Sequence, residues 1–122
     1  MKHRFVISLL GLSLIIPLWL YAKRAAPRPV SPIVRNGVKY SAPNDNGRIG
    51  HVVASDVRTG KMLWDTKVFE VQIDPNLEED VQWVFIANLK LDGNTLRVKD
   101  EKSRCYDLDL STKTVKKKIL CW

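Results

Sequence analysis

Residues able to do chemistry are few in this chain, and they are scattered. His3 sits among the first basic residues, and His51 stands alone at the head of a candidate strand. No cysteine, histidine or glutamate falls at metal-ligand spacing around either one. His51 therefore reads as an ordinary strand histidine. The acidic run Glu78-Glu79-Asp80, with Asp74 nearby, lacks the alternating oxygen ligands and the glycine of a calcium loop. Asn44-Asp45-Asn46-Gly47 reads as a turn. Asp107 and Asp109 alternate onto one face and read as outward carboxylates paired across a hairpin with Lys116 and Lys118. There is no glycine-rich phosphate loop, no GxSxG elbow and no HExxH pair. The inventory gives no catalytic residue, no metal ligand and no cofactor site, and it points away from an enzyme.

The first residues bear on compartment. Lys2, His3 and Arg4 precede Phe5–Ala22, a run without any charge. A basic n-region before an apolar h-region is the layout of an export signal. The candidate cut follows Ala22, although Leu20 is larger than the small residue preferred three positions before a cut. The run is also long enough to cross a bilayer core. Residues 1–22 are thus either a cleaved signal peptide or a retained membrane anchor, with membrane contact through residues 5–22. The expected location is exported, periplasmic or extracellular, with or without the anchor. The cations Lys23, Arg24, Arg28 and Arg35 oppose that direction by the positive-inside tendency. Residues 23–32 hold most of a proline-rich basic stretch and read as a stiff linker.

Residues 33–122 are expected to form one small domain, since about ninety residues suffice for one modest core. The fold class expected is all-β, a small antiparallel meander of about seven strands, built as a sandwich or partial barrel and placed after an N-terminal hydrophobic helix. The best strand spans Val81–Asp92, where Val81, Trp83, Phe85, Ala87, Leu89 and Leu91 alternate onto one face. Val84 and Ile86 interrupt the polar face, so the middle is expected to be covered on both sides. Further strands joined by hairpins follow at Thr95–Asp100, Arg104–Leu110 and Val115–Leu120. Upstream candidates are Gly37–Ser41, Gly50–Val57 and Met62–Ile73, with a short helical turn near Asn76–Asp80. The aromatics Trp64, Trp83, Phe85, Phe69 and Tyr106 read as core. Trp122 is the exception, and beside Lys116, Lys117 and Lys118 it suits a membrane interface.

Cys105 and Cys121 make an even pair downstream of an export signal. If Leu110 pairs with Val115, Leu120 falls opposite Cys105. A shift of one residue would set the two cysteines opposite each other, at a separation that allows a disulfide. Two independent thiols are the alternative.

The stretch ASDVRTGKMLW, Ala54–Trp64, is the most specified turn in the chain. Asp56 is placed to accept backbone N–H groups two residues on, Thr59 to do so more weakly, and Gly60 to supply a positive φ. Lys61 starts the return strand and Trp64 adds a large buried ring. Ala54, Asp56, Thr59, Gly60, Lys61 and Trp64 resemble the tryptophan-docking motif AxDxxTGKxxW of quinoprotein-type β-propellers. A degraded second copy lies in DLDLSTKTV, where Asp109 and Thr112 match, Lys113 replaces the glycine and Lys117 the tryptophan. The resemblance implies blade-like sheets in which the Trp packs on neighbouring backbone. It brings no quinone or calcium site, because no residue here matches those positions. About seven strands would make fewer than two blades, whereas a propeller needs at least four.

With a charge of +7, the chain suits anionic surfaces, though solubility alone explains such a balance. Together these features point to a small exported or membrane-tethered domain that acts by protein interaction. Its expected partner is an envelope protein or itself, not nucleic acid. A structural subunit that self-assembles into a propeller-like oligomer is the alternative.

Overall fold

The computed structural model describes residues 24–122, and the signal or anchor expected at residues 1–22 lies outside them. Eight strands form two separate four-stranded antiparallel sheets. The first sheet contains β1 (Ile33–Arg35), β2 (Val38–Ser41), β3 (Ile49–Asp56) and β4 (Met62–Glu70), in that order. The second contains β5 (Ile86–Asp92), β6 (Thr95–Asp100), β7 (Cys105–Asp109) and β8 (Val115–Lys118). Each sheet is a meander, so its neighbours in sequence are its neighbours in space. The all-β meander is as expected; the strand count is eight, not about seven.

The missing strand is β1. Asn36 and Gly37 have φ of 51° and 76°. Two successive positive φ values are the signature of the tight hairpin turn that Asn-Gly favours, because its twist matches that of the strands. That dipeptide was legible in the sequence.

The Val81–Asp92 strand is the larger correction. Its first part is a short 3-10 turn at Asp80–Gln82, and Val81 is exposed. Residues 83–85 are extended but belong to neither sheet. Their backbone is satisfied elsewhere: Val84 N–H donates to Gly47 O at 3.1 Å and Phe85 N–H to a Glu101 carboxylate oxygen at 3.0 Å. Asn44 then clamps Ile86, its amide nitrogen donating to Ile86 O at 2.9 Å and its oxygen accepting from Ile86 N–H at 3.0 Å. The ladder skips Ala87, with Ile86 opposite Asp100 and Asn88 opposite Lys99. This bulge reverses the alternation. Val84 and Ile86 are therefore core, while Ala87 is exposed.

One core fills the space between the sheets. Ile33, Tyr40, Ala54 and Trp64 stand side by side across the first sheet. Leu91, Leu96, Leu108 and Val115 do so across the second. Val52, Ala54, Leu96, Val98 and Leu108 are fully shielded. Phe69 stacks on Tyr106 with ring centroids 5.2 Å apart, joining the two layers. Phe69 reaches that place over Gly50, where any Cβ would collide with its ring. At the other side, the Arg35 guanidinium donates to Gly93 O at 2.6 Å and ties β1 to the β5–β6 turn. The core and the partly buried residues packed on it run from Val30 to Val115, so residues 24–122 close their own core.

The outer faces are mainly polar, although Val34 and Met62 in the outward row Val34, Lys39, Ser55 and Met62 are more than half exposed. Across the first sheet the outward row Ser41, Val53 and Asp65 sits next to His51 and Lys67. Across the second, Lys90, Arg97, Asp107 and Lys116 form one row, and Asn88, Lys99, Cys105 and Lys118 the next.

Candidate functional site

The turn between β3 and β4 is built by its side chains. Asp56 accepts from the N–H groups of Arg58 and Thr59 at 2.8 and 3.0 Å. The Thr59 hydroxyl accepts from Lys61 N–H at 3.2 Å. Gly60 N–H donates to Asp56 O at 2.7 Å, and Asp56 N–H donates to Lys61 O at 2.8 Å. Gly60 has φ of 76°, and the ladder has a bulge between Ala54 and Ser55. Beneath the turn, fully buried Ala54 lies directly opposite Trp64.

The turn between β7 and β8 repeats this pattern 53 residues on. Asp109 accepts from the N–H groups of Ser111 and Thr112 at 2.8 and 3.1 Å. The Thr112 hydroxyl accepts from Thr114 N–H at 3.3 Å. Lys113 N–H donates to Asp109 O at 2.8 Å, and Asp109 N–H donates to Thr114 O at 2.9 Å. Those backbone donors hold the Asp109 carboxyl below its usual range. Lys113, in the place of the glycine, has φ of 62°.

The two turns meet at Trp64. Tyr40 lies against its ring at a centroid distance of 6.0 Å. The Lys113 ammonium stands over the same ring at 4.9 Å and donates to Leu110 O at 2.6 Å. The lysine that strains the second turn thus also joins it to the first sheet. Lys61 and Lys117, by contrast, are exposed.

Cys105 and Cys121 form a disulfide with Cα atoms 5.4 Å apart. The bond comes about by a route other than the expected register. Leu108, not Leu110, pairs with Val115, and Cys105 lies opposite Lys118. Cys121 returns to Cys105 because the chain bends at Ile119 and Leu120 after β8. Trp122 follows the bond onto the outer face, where the Lys99 ammonium stands 5.4 Å from its ring. Cys105 is buried beneath this crossing although it lies on the outward row.

His51 is not an ordinary strand histidine. Its Nδ1 lies 2.7 Å from an Asp65 oxygen and its Nε2 2.6 Å from an Asp45 oxygen. Partial burial disfavours the imidazolium, but the hydrogen bonds to Asp45 and Asp65 outweigh that and raise its pKa. The hydrogen bond to His51 lowers that of Asp45. Lys67 lies opposite His51 in the ladder, and the four side chains border a shallow pocket of about 430 Å³. Both ring nitrogens are engaged, so neither lone pair is open to a metal ion. Asp45 was read only as part of a turn. It becomes a partner because the 42–48 loop folds back along β3, a tertiary event that leaves no local signal.

The carboxylates of the acidic run and of Asp74 take separate partners. Glu79 pairs with the Arg48 guanidinium and accepts from Trp83 Nε1 at 2.9 Å, which pulls its pKa down to about 2. Asp74 instead caps the 74–76 turn, accepting from Asn76 N–H at 2.9 Å. Asp107 lies opposite Lys116 in the ladder, but its ion pairs are with Arg97 at 3.6 Å and, as expected, Lys118 at 3.9 Å. The one buried carboxylate, Asp100, is satisfied by Lys102 N–H, Arg104 N–H and the Arg104 guanidinium at 2.8–3.0 Å, with the Tyr106 hydroxyl at 3.3 Å. It orders the β6–β7 turn. A cleft of about 700 Å³ opens between the sheets beside Phe69, Leu77, Val81, Arg104 and Lys117.

No protein-family model matches the chain, and no curated protein matches its sequence.

Proposed function

We propose that the chain is a small non-enzymatic interaction module of an exported or membrane-tethered protein, binding an envelope protein partner as a monomer. The observation that carries this reading is the division between core and surface. Both sheets turn their large apolar rows toward one shared core, and the outward rows are mainly charged or polar, with Val34 and Met62 exposed among them on the first sheet. A sheet destined to dock further blades needs an apolar outer face, since burying charged rows without partners is costly. We also propose that the domain descends from a pair of quinoprotein-type propeller blades. Two four-stranded meanders, the Ala54–Trp64 motif and a matching turn 53 residues later support that ancestry.

The alternative, self-assembly into a propeller-like ring, draws on a specific feature. β4 is the last strand of its sheet, and Met62 and Leu63 on it are more than half exposed. An unpaired edge of that length is a template for another chain. Light scattering after size exclusion separates the two readings. Residues 24–122 are expected at the mass of one chain across a wide concentration range. A defined oligomer would replace the first reading with the second.

A further inference from the structure

The second sheet carries a surface that protein interaction does not account for. At its corner, the bend between β8 and the disulfide presents Ile119 and Leu120, 99% and 84% exposed. Large aliphatic side chains at that exposure usually find cover. These two occupy the bend by which Cys121 returns to Cys105. Trp122, the residue the sequence suggested for a membrane contact, is partly covered beside Lys99. The exposed apolar tip is therefore Ile119-Leu120.

Cations surround that tip. Lys116, Lys117 and Lys118 lead directly into it, and Lys90, Arg97 and Lys99 lie on the outward rows beside Lys116 and Lys118. Opposing charge on this face comes from Asp92, Asp107 and Asp109, against the cations Lys90, Arg97, Lys99, Lys116 and Lys118. Arg97 lies 3.3 Å from Asp92 and 3.6 Å from Asp107, and Lys118 lies 3.9 Å from Asp107. Lys90, Lys99 and Lys116 make no ion pair among the described residues, whereas Lys117 belongs to the opposite face, in the row of Leu89, Val98 and Tyr106. A flat cationic face with two projecting aliphatic side chains and no groove suits a soft anionic surface better than a shaped protein partner. Basic residues gain from the surface potential of anionic lipids, and aliphatic tips gain from burial at the headgroup–acyl boundary.

We propose that this face rests on an anionic lipid surface, with Ile119 and Leu120 inserted and the lysines of β5, β6 and β8 over the headgroups. The disulfide acts as the staple that keeps the tip extended. The inference does not depend on which protein the rest of the domain binds, or on its oligomeric state.

Sedimentation with large unilamellar vesicles tests it, using oxidised residues 24–122, whose core closes without the preceding apolar segment. The protein is expected to pellet with phosphatidylglycerol vesicles but not with phosphatidylcholine vesicles, and to be released by added salt. The double variant Ile119→Asp/Leu120→Asp is expected to bind roughly tenfold more weakly or worse. A second variant, Lys90→Glu/Lys99→Glu/Lys116→Glu, is expected to lose binding while keeping the same circular dichroism and disulfide. All five positions are away from the core, so folding is preserved. A folded wild-type protein that ignores phosphatidylglycerol, binds both lipids equally, or binds as well with the aspartate pair overturns the proposal.

Discussion

The β3–β4 and β7–β8 turns share a hydrogen-bond pattern, an aspartate and a threonine, and they part at the positions of the glycine and the tryptophan. Where the first has Gly60 the second has Lys113, and where the first has Trp64 the second has Lys117. The common part is the aspartate and threonine, whose oxygens capture the turn's N–H groups in both. Side-chain capture by Asp and Thr is thus enough to hold a positive φ at the fifth turn residue without a glycine there. The differing parts are linked, because Lys113 lies over Trp64. A strained lysine in one turn makes a contact that a glycine could not make with the other. Lys117, in the place of the tryptophan, borders the open cleft instead.

The largest effect should come from breaking that asymmetry at its ring. Trp64→Ala is expected to destabilise the domain by about 3 kcal/mol, and Lys117→Ala by no more than about 0.5 kcal/mol, in denaturant titrations. Equal losses would mean that the two positions are equivalent after all. Next in size is the staple on the second sheet alone. Reducing Cys105–Cys121 is expected to cost about 3 kcal/mol, or somewhat less if the reduced chain keeps residual structure, and to lower the melting temperature accordingly.

Lys113→Gly sharpens the comparison further. Relief of the positive φ gives about 1 kcal/mol, and loss of the contact with Trp64 removes about 0.5–1 kcal/mol, so the net change should be small. In the Trp64→Ala background the same substitution should stabilise by about 1 kcal/mol. A double-mutant cycle measures the difference directly, and zero coupling would dissolve the link between the turns. Gly60→Lys, with no ring to meet, is expected to destabilise by about 1 kcal/mol.

The smallest effect concerns the first sheet's outer face. His51 has a raised folded pKa, so its contribution is complete below the unfolded value near 6.5 and is lost as pH rises through the folded value. Proton NMR should place the His51 titration above that of a free histidine, and Asp45→Asn should lower it. An unshifted titration would mean that the Asp45–His51–Asp65 chain does not persist in solution.

Much of the second sheet was legible in the sequence. β6 runs over the expected Thr95–Asp100, and Leu96, Val98, Tyr106, Leu108 and Leu110 are buried as the alternation implied. Short hairpins make each strand's neighbour the next in sequence, so period two carries the topology. The parts that were not legible depend on contacts between distant segments. The Val81–Phe85 stretch looks like strand but gives its hydrogen bonds to Gly47 and Glu101. The register of β7 and β8 was misplaced because the turn begins at Asp109, two residues before the apparent polar tip. That difference decides how Cys121 comes back and why Ile119 and Leu120 protrude. β1 was missed despite its Asn36-Gly37 signal, because three residues offer too short a pattern for periodicity.

One shared core joins two sheets, each built from its own continuous stretch of the sequence. Equilibrium unfolding of residues 24–122, followed by tryptophan fluorescence and far-ultraviolet circular dichroism, tests this most directly. Trp64 and Trp83 report the sheet interface and the 83–86 segment, while the dichroism reports both sheets. One cooperative transition with coincident midpoints is the predicted result. Two separated transitions, with one sheet melting while the other persists, would contradict it.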